Sequence, residues 1–421
     1  MNETILTNVA EYPPQKLCWG DYLYIFGMFV FAIACNFSIA ASQTGLSLAL
    51  IGFIGLYRQG RVNICRTPLD KPFMFLFATA ILSTFRANES FIALREMKTF
   101  MIIFVFYLAY WPRMTEEFQN KLLNTFIFFA ALVSVVNNYK ILLGLAEAKH
   151  AKGFFSMSIT FGECMALSGL AAMLKLAMPA KNKKCFFFYF GAFLLIFVSM
   201  IQSLTRGAWL GLIAGSAVMT LRFPRRMLPL VLAVGVLITT VALQHPDFKE
   251  RLIGFSLTKT IEMAKRPMSM DFESIGLFSN LQRLYIWLRG FEMTDNAFIF
   301  GVGADNVKTH YKRLAGEFEH RLNLIWGHQH NNFMQMFAMY GILGLVAFFY
   351  FITVTIKFLL SARPDPGNHH AIGAIAIFSG FLFFGFTEYC WGDEEVIMIA
   401  MFLNGVLMNR NVSVALPAQS A

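Results

Sequence analysis

Apolar runs of roughly membrane-spanning length recur from one end of this chain to the other, and such runs belong in a lipid bilayer. The first reaches from about Tyr22 to Ala41, and a second, shorter one ends at Tyr57. Further runs fall near residues 73–85, 98–111, 122–138, 159–178, 186–203, 207–222 and 228–243. Three more, near 333–358, 371–389 and 394–409, close the chain. The pattern predicts an all-α polytopic membrane protein of about twelve transmembrane helices. Composition agrees, since 57% hydrophobic and only 14% charged residues, with 47 Phe and 23 Met, are far outside the soluble range. The first run is not a cleavable signal, because no small-residue cleavage site follows a basic start and the next run begins almost at once.

The formal charge of +10 invites a nucleic-acid reading, but Lys and Arg are spread through the connections and form no basic stripe. Membrane topology and anionic headgroups account for them better. The densest basic loop holds Arg58, Arg61, Arg66 and Lys71 with Pro68 and Pro72, which places it in the cytoplasm. If the chain alternates, the basic connections at Arg113 and Lys121, Lys181 to Lys184, and Arg222 to Arg226 fall on that same side. The stretch from Gln244 to about Gln329 then lies outside, in the periplasm if the cell is Gram-negative. This divides the chain into an N-terminal membrane region (1–243), a large outer loop (244–332) and a C-terminal membrane region (333–421). The loop is charge-mixed and rich in aromatics, so it is expected to fold against the membrane. Within it Leu281, Leu284, Tyr285 and Leu288 have helical spacing, while Arg283, Trp287 and Gly290 share another face. The six cysteines show no paired spacing, which argues against a disulfide framework or a thiolate metal site.

Titratable side chains meet a membrane-length run at His328-Gln329-His330-Asn331-Asn332. If the following helix extends back to His330, then His330 and Gly341 fall within roughly 20° of one face, with Gly344 about 60° further round. Such a stripe would carry an imidazole above two patches open to a helix or a lipid chain. A second constellation is Ser203-Leu204-Thr205-Arg206-Gly207, where one run reaches the outer surface and the next turns inward. Ser203 or Thr205 would cap that next helix, leaving its N-terminus beside Arg206. Two helix N-termini and a guanidinium make an anion site. A nearby histidine has a task there if a neutral hydroxyl must lose its proton as a phosphate departs. Against this stand bland readings: a snorkelling Arg206, a solvated Arg283 and a hydrogen-bonded interfacial His330.

Thr205-Arg206-Gly207, Arg283 in Gln-Arg-Leu-Tyr, Phe300-Gly301-Val302-Gly303, and His330-Asn331 with nine residues before Gly341-x-x-Gly344 together resemble the bacterial O-antigen ligase family. The last pattern is the specific one. The resemblance implies a GT-C-like glycosyltransferase of the inner membrane with its active site on the periplasmic side. Its donor would be a glycan linked through pyrophosphate to undecaprenol, and its acceptor a sugar hydroxyl of the lipid A core. Arg206 and Arg283 would hold the pyrophosphate and His330 would activate the acceptor. His328 would help bind, and Asn331 would orient the histidine or cap the helix. Gly341 and Gly344 would line the binding region by allowing close packing. The implied reaction inverts the anomeric carbon in one displacement, with no cofactor, no metal and no nucleic acid; membrane lipids are the surroundings and the oligomeric state stays open.

Other readings compete. His328 and His330 would face the same way on an extended segment as a zinc pair, with His310 and His320 in the same loop. Asp271-Phe272-Glu273 and Glu317-Phe318-Glu319 resemble acidic pairs that hold a divalent ion. Gly301-Val302-Gly303 lacks the strand-to-helix setting of a dinucleotide loop. An O-antigen polymerase or a protein O-oligosaccharyltransferase would share the donor and differ in the acceptor. A transporter would show ionisable groups near mid-membrane, whereas Glu163 and Glu388 sit near span edges.

Overall fold

The computed structural model describes residues 17–85, 87, 90–112, 114–147, 150–179, 182–244, 275–321, 325–361 and 369–409. The polar tail up to residue 16, Arg113, Lys181 and the Asp271/Glu273 pair lie outside them. The described residues form helices and no strand. In chain order these are α1 (Trp19–Ala34), α2 (Ile39–Arg58), α3 (Asp70–Thr84), α4 (Ser90–Glu96), α5 (Phe104–Tyr110), α6 (Glu116–Leu142), α7 (Ser158–Ala177), α8 (Lys183–Gln202), α9 (Arg206–Arg222) and α10 (Pro224–Gln244). After them come α11 (Ile275–Thr294), α12 (Val307–Leu314), α13 (Glu317–Arg321), α14 (Asn332–Ser361), α15 (His369–Phe384) and α16 (Glu394–Met408).

Among the described residues five helices, α2, α6, α7, α8 and α14, are long and apolar enough to cross a membrane, and α1 and α15 are apolar but shorter. The expectation of about twelve full spans is thus met in full length by these five. The run read as one span at 98–111 is broken: α4 passes through a 3-10 helix, Met97–Ile103, into α5. Thr99, Ile102 and Ile103 are β-branched, a composition that weakens the α-helix there.

Helix α7 runs through the centre, with 94% of its apolar window buried, so it faces protein rather than lipid. Helices α8, α9, α15 and α16 pack around it. Close approach is bought with glycine: a Cβ on Gly27 of α1 would fall 2.6 Å from the Gly45 carbonyl oxygen of α2.

The turns sort into two ends. At one end Asn332 N–H donates to Gly385 O (2.7 Å), Gln43 at the start of α2 donates to Glu394 (3.2 Å), and a Cβ on Gly303 would meet Ala87. At the other end Trp111 Nε1 donates to Cys65 O (3.0 Å), Arg226 donates to Ala177 O (2.6 Å), and Phe223 stacks on His369. The Arg58 loop is at this second end, where Arg61 pairs with Asp21 at 2.8 Å. Arg206 and His330 are at the first, as alternation of the chain requires.

Candidate active site

Helix α11 forms where helical spacing predicts it, and its Arg283, Trp287, Gly290 face turns inward. Trp287 Nε1 donates to Gln329 O (2.8 Å), and a Cβ on Gly290 would strike the Gln329 amide oxygen at 2.6 Å. The helix is thereby clamped to the 328–330 segment. Arg283 donates from Nη2 to Glu388 Oε1 (2.5 Å) and from Nε to Thr387 O (3.3 Å).

His330 is not part of α14. It adopts a positive φ of 45° immediately before that helix, a conformation rare outside glycine and found where surroundings impose it. Its Nδ1 lies 2.6 Å from Glu388 Oε2. One buried carboxylate therefore joins Arg283 on α11 to His330 before α14. Burial pushes the Glu388 carboxyl up, but the His330 hydrogen bond and the Arg283 charge outweigh it and hold the group below its ordinary value.

Arg206 opens α9, and that helix end meets the same loop. A Cβ on Gly207 would fall 2.5 Å from Thr387 Oγ1, 3.6 Å from Glu163 Oε1 and 3.7 Å from Glu388 Cγ. The expected capping differs from what is observed. Thr205 occupies the N-cap position without a side-chain cap; its hydroxyl donates to Ser158 O (3.2 Å), and Ser203 Oγ donates to Met200 O (2.6 Å). These hydroxyls tie the turn to α7 and α8 instead. The second helix end, that of α14, is closed by Asn331, whose Oδ1 accepts from Phe333 N (2.9 Å) and Met334 N (3.0 Å). Of the two expected roles for Asn331, helix capping is the one seen, while the histidine is held by Glu388.

The single stripe through His330, Gly341 and Gly344 does not exist. Gly341 has φ 67° and ψ −163°, a region open essentially to glycine alone, and it breaks α14 there. The break frees backbone groups that the 298–303 segment, which holds Phe300-Gly301-Val302-Gly303, takes up. Val302 N–H donates to Ala338 O (2.9 Å), Gly303 N–H to Met339 O (2.9 Å), and Ile342 N–H to Phe298 O (2.8 Å). Gly344 makes room for the Tyr340 side chain of its own helix, and its exposure is nil to small. The two glycine motifs are thus two halves of one backbone joint beneath the outer-loop helices.

The His328 ring packs on that of His330 with centroids 4.2 Å apart, beside Trp326 and Tyr389. Burial, with His330 adding to it and Glu388 opposing, lowers His328 to about 4, so it stands as a neutral imidazole. Among the described residues no group of three or more His, Cys, Asp or Glu is arranged to hold a metal ion. Glu319 of the second acidic pair is spent on Arg289, at 2.6 and 2.9 Å, and on Gly316 N–H at 2.7 Å.

Three residues to which the sequence assigned no role in the site complete it. Glu388 and Thr387 lie in the 385–393 turn after α15, which ends at Phe384 and not near 389 as the hydropathy suggests. Asn332 fastens that turn, accepting from Trp391 N (3.0 Å) and donating to Cys390 Sγ (3.2 Å). The available signal was a carboxylate, Glu388, standing in an otherwise apolar stretch.

Residues 191–349 match the family model described as O-antigen ligase. This segment is similar to the O-antigen ligase family. The matched segment takes in Arg206, Arg283, His330, Gly341 and Gly344 and stops before Glu388, so the carboxylate that joins its arginine to its histidine is contributed by the chain beyond the match. Members of the family are glycan-transferring enzymes. No curated protein matches the chain.

Proposed function

We propose that the chain is an O-antigen ligase, transferring a glycan from undecaprenyl pyrophosphate to a sugar hydroxyl of the lipid A core at the periplasmic face of a Gram-negative inner membrane. The observation that carries this reading is the shared carboxylate: Glu388 holds Arg283 with one oxygen and His330 Nδ1 with the other. The α9 end bearing Arg206 adjoins it. With Nδ1–H donating to Glu388, the lone pair of His330 resides on Nε2, the atom that takes the proton of the acceptor hydroxyl. The acceptor oxygen then attacks the anomeric carbon, the bond from that carbon to the diphosphate oxygen breaks, and the configuration inverts. Arg206 and Arg283 balance the charge that grows on the departing polyprenyl diphosphate, a role suited to guanidinium groups. The diphosphate linkage already activates the donor, so neither nucleotide nor metal enters the scheme.

His330-Asn331 spaced nine residues from Gly341-x-x-Gly344 favours the ligase over a polymerase or protein transferase with the same donor. Reconstitution of the purified chain with a polyprenyl pyrophosphate glycan, offering lipid A core, a second donor glycan or a protein in separate reactions, tests this. Transfer to lipid A core with inverted linkage is expected; transfer only to a second glycan or to protein would replace the ligase reading.

A further inference from the structure

We propose that Trp326, His328 and Tyr389 form a stacking platform that seats a pyranose ring of the glycan beside His330. The inference rests on the glycan-transfer reading and names what this side of the site holds. The rings form one cluster: Trp326 lies 5.0 Å from His330 and 6.2 Å from His328, and His328 lies 6.2 Å from Tyr389, centroid to centroid. Each of the three platform residues is half-buried and keeps some accessible surface. Arg283 and the α9 end serve a diphosphate on the other side of Glu388, so this aromatic wall is not a second anion site.

A sugar ring presents an apolar face of C–H groups and a rim of hydroxyls. Aromatic faces with a few placed polar atoms are its complement. The platform supplies those atoms: Trp326 Nε1 and His328 Nδ1 are enclosed and have no hydrogen-bond partner among the described residues. Buried polar atoms are ordinarily paired, so two orphans on adjoining rings mark a site whose partner is absent. The neutral state of His328, set by burial, suits a neutral hydroxyl and not a phosphate. Both the acceptor core sugar and the first sugar of the donor have this chemistry.

The test uses the full-length, detergent-purified protein carrying His330→Gln to prevent turnover. It is titrated separately with delipidated core oligosaccharide and with the polyprenyl pyrophosphate glycan. The fluorescence of Trp326 is read as the difference from the same protein carrying Trp326→Phe, which keeps a stacking face and removes the N–H. A saturable change is expected in one titration, and which one identifies the seated sugar. Calorimetry on Trp326→Ala should show about tenfold weaker binding of that ligand, while His328→Ala should weaken it in the same direction. Saturable binding by a wild-type protein that transfers no glycan would retain the platform and remove the catalytic reading. No change in either titration, with both ligands binding Trp326→Ala as tightly as its parent, would overturn the platform.

Discussion

Gly301 and Gly341 face each other backbone to backbone, forty residues apart, each at a positive φ and each where a Cβ would run into the main chain of the other segment. A Cβ on Gly341 would strike the Ile299 carbonyl and lie 2.6 Å from Phe300 N; one on Gly301 would lie 2.5 Å from Gly341 N. The joint fixes how the outer-loop helix α11, which carries Arg283, sits over α14, before which His330 stands.

Gly341→Ala is therefore expected to destabilise the protein by about 1–3 kcal/mol from backbone strain alone, with the steric collision added to it. Thermal unfolding in detergent should show a lowered midpoint for Gly341→Ala and for Gly301→Ala. Gly60→Ala, at a positive φ with open space around it, should cost only the strain term. Equal midpoints for Gly341→Ala and Gly60→Ala would show that the joint carries no packing.

Glu388→Gln keeps the shape of the clamp and removes its charge. Arg283 and His330 would then lack their shared counter-charge in a buried site, and transfer should fall about 10²- to 10⁴-fold. Glu388→Asp should recover part of the rate by keeping the carboxylate. Single-turnover transfer with membrane-inserted protein measures both, and wild-type rates in Glu388→Gln would remove the clamp from the mechanism.

Outside the spans, His328 and Glu388 contribute to the acid limit of stability, together with His310 and Glu319, which are depressed as well. His328 is depressed from 6.5 to about 4, so its neutral packing contributes stability that is fully present above pH 6.5 and lost as pH falls through 6.5 toward 4. His330, Glu388, Trp326 and Tyr389 are the groups that face it. Glu388 is depressed below 4.5, so its contribution is present above that value and lost at still lower pH. Stability, read from melting midpoints, should start to decline below pH 6.5 in the wild type, by on the order of 3 kcal/mol across His328's window. His328→Phe should flatten that part of the curve and leave the lower part intact. A curve for His328→Phe that matches wild type would place the acid sensitivity elsewhere.

Much of this architecture was legible in the residues. Apolar runs locate the helices, five of them of full spanning length, because hydrocarbon tolerates little else, and the α11 face of Arg283, Trp287 and Gly290 follows from a 3.6-residue period. The pairing of Arg206, Arg283 and His330 at one end came from counting crossings, an argument that survives errors of several residues at each edge. What escaped depends on local backbone geometry. A glycine inside an apolar run reads as a packing site, and nothing in Gly341 announces a φ of 67° until the 298–303 segment is seen against it. Glu388 reads as a span-edge charge because hydropathy cannot tell where α15 stops. Its place between Arg283 and His330 follows from a turn that Asn332 holds, 56 positions earlier in the sequence.

Chelation separates the scheme from a zinc pair at His328 and His330 or a divalent-ion site. Transfer by the reconstituted protein is expected to be unchanged after exhaustive treatment with a chelator. Activity abolished by the chelator and restored by a divalent ion would require a metal in the reaction.

The most direct measurement is single-turnover transfer of labelled glycan from polyprenyl pyrophosphate to lipid A core by Arg206→Ala, Arg283→Ala and His330→Ala, each checked for membrane insertion. Losses of at least about 10²-fold are expected in all three, since each removes charge stabilisation or proton transfer from the same step. Wild-type rates in all three inserted proteins would contradict the account.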